Sequence, residues 1–311
     1  MQFEWTVFFG DTADAEARVY VLATPLIADT DASALDGLKI TGRVEGPKCR
    51  YSHTLPARIP VRFRGVRTSD GRGELVGEAI VPDPNFWTPE LPFLYRATVE
   101  VRLGEEVVAT YEQDFGIRPL GVRGKRLVFD GKTWVPRAVR REVVVGDAPL
   151  ELWREMATAM VVDDPDEELC REASECGVIL FVSSSQETGA RNRIRSICRY
   201  PAVAMLIVPH FTLAGIEHHV PDLRSCARNL LIADSDTLEE GVRFGLQSAN
   251  AAVLHRQRAG GEQIASLMAY DPRPILIQAN TGKRSLIEAR EACDKLQADL
   301  AGKCDPAGYI V

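Results

Sequence analysis

Ala202-Val203-Ala204-Met205-Leu206-Ile207-Val208 is an unbroken apolar run of seven residues. It is far short of the roughly 20 residues needed to cross a bilayer. A short apolar run bounded by turn signals reads as a strand covered on both faces. Similar runs lie at Arg137 to Val144, Ala159 to Val162, Val178 to Val182, Asn229 to Ala233, Ala251 to His255, Pro274 to Ala279 and Gly308 to Val311, making eight. Helix-like stretches separate them: Pro149 to Met156, Asp166 to Cys176, Gly189 to Arg199, Thr237 to Leu246, Glu262 to Tyr270 and Ser285 to Ala301. The last places Leu286, Ile287, Cys293, Leu296 and Leu300 near one helical face. Doubly buried strands alternating with helices need parallel pairing, and eight such units can close into a (β/α)8 barrel. Residues 121–311 fall a little below the usual lower bound of roughly 200 residues, so short loops or missing helices are expected.

Before about residue 120 the rhythm is different. Arg96-Ala97-Thr98-Val99-Glu100-Val101-Arg102-Leu103 alternates with period two, and Gly104-Glu105-Glu106 turns it into Val107 to Tyr111, a hairpin. Arg18 to Ala23, Leu38 to Val44, Ile59 to Phe63 and Glu74 to Val81 have similar length and are separated by Gly, Pro, Asp and Ser clusters. Many short strands with frequent turns predict an immunoglobulin-like β-sandwich. The expected architecture is therefore multidomain β plus α/β: a sandwich over 1–120 and a compact barrel over 121–311. At 311 residues the chain is about twice the ~150-residue prior for one domain.

The 37 basic and 44 acidic residues give a net charge of −7, which argues against nucleic acid as a partner. No run spans a membrane, and Met1 to Gly10 lacks a basic region followed by a long apolar one, so a cytoplasmic protein is expected. Seven cysteines at scattered positions form no Cys-x-x-Cys pair and read as free thiols. Gly71-Arg72-Gly73 and Gly260-Gly261 match no dinucleotide or phosphate loop, so no cofactor is implied.

Phe86-Trp87-Thr88-Pro89-Glu90-Leu91-Pro92-Phe93-Leu94-Tyr95, then Asp114-Phe115-Gly116-Ile117-Arg118 and Phe129-Asp130-Gly131-Lys132, resemble glycoside hydrolase family 2 in order and spacing. In that family of β-galactosidases and β-glucuronidases such segments close the sandwich and open a TIM barrel. Weaker similarity continues through Arg137 to Glu142, Leu169 to Val178 and Tyr200 to Met205. With strand-like sequence from near residue 1, no counterpart of the family's preceding jelly-roll domain is expected in this sequence. The resemblance implies a carbohydrate ligand and an acid/base glutamate ending barrel strand 4, with a nucleophilic glutamate ending strand 7. Those positions carry Phe211 and Ala279. A phenyl ring delivers no proton, and neither Gln278 nor Asn280 replaces a carboxylate nucleophile.

The expected function is thus a pseudo-glycosidase with retained carbohydrate binding and no catalytic residue. Barrel function lies at the C-terminal strand ends, where this chain offers Arg140, Glu142, Asp163, Asp164, His210, Asp234, Asp236, His255, Gln278 and Asn280. Two other readings remain: an active hydrolase whose carboxylates have moved to the strand 2 and strand 5 ends, and a structural docking subunit. His210, Asp234 and His255 also raise metal-assisted hydrolysis, though without zinc-site spacing. Asp164 and Asp236 additionally read as helix caps. A partner protein or second copy of the chain stays open.

Overall fold

The structure, a computed structural model, describes residues 3–25, 38–67, 73–183, 190–209, 230–236, 249–256 and 261–311. Two compact units emerge. One holds Met1–Trp87 and Leu91–Ile117; the other holds Thr88–Glu90 and nearly all of the chain from Arg118 onward.

The first unit is all antiparallel strand. Its elements are β1 (Phe3–Thr12), β2 (Glu16–Pro25), β3 (Leu38–Lys48), β4 (Ala57–Arg67), β5 (Gly73–Pro82), β6 (Leu94–Leu103) and β7 (Glu106–Phe115), in the spatial order β1-β2-β5-β4-β3-β6-β7. β1 was not anticipated from the sequence. Residues 57–61 of β4 pair with β3 and residues 62–67 pair with β5, so β4 serves both leaves of a sandwich. Alternation in β6 buries Tyr95, Ala97, Val99 and Val101, while Arg96 points to solvent and pairs with Asp114 at 2.6 Å. Tyr95, Ala97 and Val99 meet Val7, Val19, Val21, Val44 and Phe115 in one core. Burying each valine is worth about 1.5–3 kcal/mol. Trp5 of β1 stacks on Tyr111 of β7 with centroids 5.4 Å apart, so the two edge strands approach each other.

The second unit opens with a small antiparallel sheet of β8 (Leu120–Arg123), β9 (Arg126–Phe129) and β10 (Lys132–Trp134), also unforeseen. It lies at the N-terminal end of the barrel. Lys125 donates to the carbonyls of Met268 and Ala269, Arg126 pairs with Asp305, and Trp134 meets the edge of Phe181.

Eight parallel strands then close the barrel: β11 (Arg137–Arg140), β12 (Ala159–Asp163), β13 (Leu180–Ser183), β14 (Val203–Pro209), β15 (Leu231–Asp236), β16 (Ala251–His255), β17 (Ile275–Gln278) and β18 (Gly308–Ile310). Each of the eight apolar runs supplies one strand. Closure is direct, since Tyr309 N donates to Pro136 O at 3.0 Å and Arg140 N to Val311 O at 2.7 Å. The first run ends as strand at Arg140, and Arg141–Val143 forms a 3-10 turn instead.

Five α-helices are present among the described residues: α1 (Leu150–Glu155), α2 (Glu167–Cys176), α3 (Ala190–Cys198), α4 (Gly261–Tyr270) and α5 (Leu286–Leu300). A closed parallel barrel is therefore established, but not a complete set of eight helices. The helix expected at Thr237 to Leu246 falls outside the described residues. None of the described helices is long and apolar enough to cross a membrane. Asp166, rather than Asp164, caps α2 by accepting from Leu169 N at 2.8 Å; Asp164 sits earlier at φ +43°. Ser285 and Glu288 form a reciprocal capping box on α5.

The motif segments are pinned by specific contacts. Arg154 donates to Pro89 O at 3.1 Å and Glu90 O at 3.0 Å. Gly177, at φ +84°, leaves room beside the same carbonyl of Pro89, where a Cβ would stand 2.3 Å from the oxygen. Arg118 is buried and donates to the carbonyls of Pro201 and Val203, the latter at 2.7 Å.

The six described cysteines are thiols, not disulfide-bridged. Burial pushes the thiols of Cys170 and Cys293 up to about 12. Because the thiolate is the nucleophile, both should resist iodoacetamide at pH 8 in the native state and react after unfolding. Peptide mass mapping checks this; native labelling of either cysteine would contradict their burial.

Candidate binding site at the barrel mouth

Side chains alternate along a strand, and residues paired in parallel register share a face. Arg140 pairs with Val161, and Asp163 with Ser183. Pro209 pairs with Ser235, Ser235 with Val253, and His255 with Gln278. Following that register around the barrel puts Arg140, Asp163, Ser183, Ser235, His255 and Gln278 on one face at the C-terminal ends. The opposite face carries Arg137, whose guanidinium reaches Asp294 and Gln297 of α5. The polar crown therefore faces the barrel interior.

Arg140 organises one side of it. Its Nε donates to Glu142 at 2.7 Å and its Nη2 to Asp163 Oδ2 at 3.0 Å. The arginine side chain is 22% exposed, against 63% for Glu142 and 44% for Asp163, so the cation is sheltered behind its two carboxylates. A cavity of about 480 Å³ lies here, lined by Arg140, Arg141, Glu142, Trp153 and Asp163 among others. On another side, Ser235 Oγ lies 3.4 Å from His255 Nε2, and Gln278 is buried next to His255 in register.

The sequence candidates fare unevenly. Arg140, Asp163, His255 and Gln278 are on the crown, with Glu142 attached through Arg140. Asp164 follows β12, and its amide donates to Ser183 O at 3.1 Å. Asp234 was expected at the mouth, but its register with Val208 and Ala252 puts it on the outer face, fully buried. Asp236 ends β15 opposite Leu254. Asn280 lies exposed beyond β17, and Ala279 N bonds to Ile310 O. His210 and Phe211 lie outside the described residues. Ser235 was missed, although period two applied to Asp234-Ser235-Asp236 selects the middle residue whenever the outer two face the helices.

Asp234 and His255 occupy opposite faces and do not converge on one ion. Among the described residues no three His, Cys, Asp or Glu side chains cluster as a metal site. The crown instead offers a guanidinium, two carboxylates, an imidazole, an amide and hydroxyls, a mix of donors and acceptors suited to a polyhydroxyl ligand. Glu142 and Asp163 come from the first two strands and share one guanidinium, so they stand side by side.

A β-sandwich unit joined to a closed parallel barrel with a polar C-terminal mouth defines a class of two-unit, barrel-based proteins. Residues 28–118 match the sequence model of the glycosyl hydrolases family 2. Among solved structures, a putative β-galactosidase from Bacteroides fragilis superposes with a TM-score of 0.65 at 11% identity, covering 98% of this chain and 54% of that one. A β-glucuronidase from Bacteroides uniformis gives 0.66 at 13%, with 98% and 45% coverage. A β-D-glucuronidase from Dictyoglomus thermophilum gives 0.62 at 13%, with 99% and 61%. The chain thus spans about half the length of the structures it matches. A search of curated protein sequences finds no significant match. The resemblance to glycoside hydrolase family 2 is carried by both its sequence model and the fold.

Proposed function

We propose that this chain is a glycoside hydrolase family 2-like protein whose barrel mouth binds carbohydrate without cleaving it. On this reading the first unit is the family's immunoglobulin-like sandwich and the second a divergent (β/α)8 barrel. What supports the proposal is the end of the seventh barrel strand, Gln278-Ala279-Asn280, which carries no carboxyl group at the position the resemblance gives to the family's nucleophile. Phe211 at the acid/base position supports it from sequence. A retaining enzyme needs two carboxyl groups about 5–5.5 Å apart, flanking the scissile bond. Glu142 and Asp163, adjacent and bound to one cation, do not flank anything from opposite sides.

The β-galactosidase and β-glucuronidases that the fold matches make galactosides and glucuronides the first probes. Aryl β-galactosides and β-glucuronides should be turned over no faster than in buffer. Oligosaccharides should raise the melting temperature, and Arg140→Gln should weaken that binding by about tenfold or more, the worth of one charge-assisted hydrogen bond. Turnover abolished by Asp163→Asn would refute the proposal. It would also establish the second reading, a mechanism relocated to a carboxylate at the end of the second barrel strand. Neither turnover nor oligosaccharide binding would leave the docking role.

A further inference from the structure

A second cavity, of about 290 Å³, opens at the other end of the barrel, beside the N-terminal ends of β11 and β12. Trp134, Trp153, Pro136 and Ile179 form apolar walls, and Arg137, Arg154 and Arg290 line it. The first two arginines are engaged. Arg154 holds the carbonyls of Pro89 and Glu90, while Arg137 binds Val135 O at 2.8 Å and the side chains of Asp294 and Gln297.

Arg290 differs. Its Nη1 pairs with Asp294 Oδ2 at 2.6 Å. Its Nε is buried with no hydrogen-bond partner among the described residues. Leaving a buried, charged donor unpaired is unfavourable, and an anion accepting from Nε would relieve it. One carboxylate, that of Asp294, is shared between Arg137 and Arg290. The volume is at the lower edge of the roughly 300–1,000 Å³ typical of small-molecule pockets.

We propose that this cavity binds a small organic monoanion, a carboxylate on an apolar or aromatic body. The carboxylate accepts from Arg290 Nε and the body lies against the indole of Trp134. Trp153 borders both this cavity and the one at the mouth, and the proposal does not rest on the function proposed above.

Sodium benzoate is the probe, titrated into the full chain and followed by calorimetry and tryptophan fluorescence. Saturable binding with one site per chain is expected below about 20 mM, a scale on which 1 mM corresponds to about 4 kcal/mol. Benzyl alcohol should bind at least about tenfold more weakly, as should benzoate to Arg290→Met. Asp294→Asn, which removes the competing carboxylate, should tighten benzoate binding, and keeps the test decisive if Arg290→Met does not fold. Non-saturating titration, equal affinity for benzyl alcohol, undiminished binding to Arg290→Met or no tightening in Asp294→Asn would overturn the proposal. Displacement of benzoate by an oligosaccharide would do the same, by placing both ligands in one site.

Discussion

Gly177→Ala is expected to destabilise the barrel unit by about 3 kcal/mol or more, combining a left-handed backbone penalty of about 1–2 kcal/mol with a steric one. The added methyl would stand 2.3 Å from Pro89 O, well inside contact distance. Relief requires Pro89 to retreat, which breaks the hydrogen bonds from Arg154 to Pro89 O and Glu90 O, each worth about 1 kcal/mol. Gly302 supplies the control. It has φ +80° but nothing within 4 Å of a built Cβ, so Gly302→Ala should cost only the backbone part, about 1–2 kcal/mol. Urea denaturation of both variants separates the two contributions. Equal losses would mean that the Pro89 carbonyl yields freely.

The second large effect concerns Arg118. Its guanidinium is buried, and desolvation, outweighing an opposing interaction with Cys198, pulls its pKa down to about 10. What offsets that burial is the pair of carbonyls at the start of β14, Pro201 O and Val203 O, both of which it serves. Arg118→Met fills much of the same volume but leaves two acceptors without their donor, at about 1–3 kcal/mol each. A total loss of about 2–5 kcal/mol is expected, with Arg118→Lys intermediate because an ammonium lacks the planar fork. Thermal unfolding followed by circular dichroism measures it. A methionine variant as stable as the parent would show that those carbonyls find other donors.

Much of the barrel was legible because strands buried on both faces must be apolar throughout, and sequences such as Ala202 to Val208 admit few other structures. β8 to β10 were not legible, since strands of three or four residues carry too little periodicity to stand out from a loop. β1 was not legible because the consecutive apolar residues Val7-Phe8-Phe9 break period-two alternation. At the mouth, Arg140, Asp163, His255 and Gln278 could be named from their positions at strand ends. Asp234 was misplaced for an instructive reason: a carboxylate invites a chemical role, whereas face is fixed by parity, and parity assigns the mouth to Ser235. The cavity at Arg290 could not be foreseen, because it unites residues from position 89 to position 290 that only the tertiary structure brings together.

The double allegiance of β4 has a mechanical consequence. One leaf of the sandwich cannot peel away from the other without tearing a single strand at its midpoint, between Val61 and Arg62. Pulled or heated, the seven strands are tied into a common fate, and their loss of structure should register as one event.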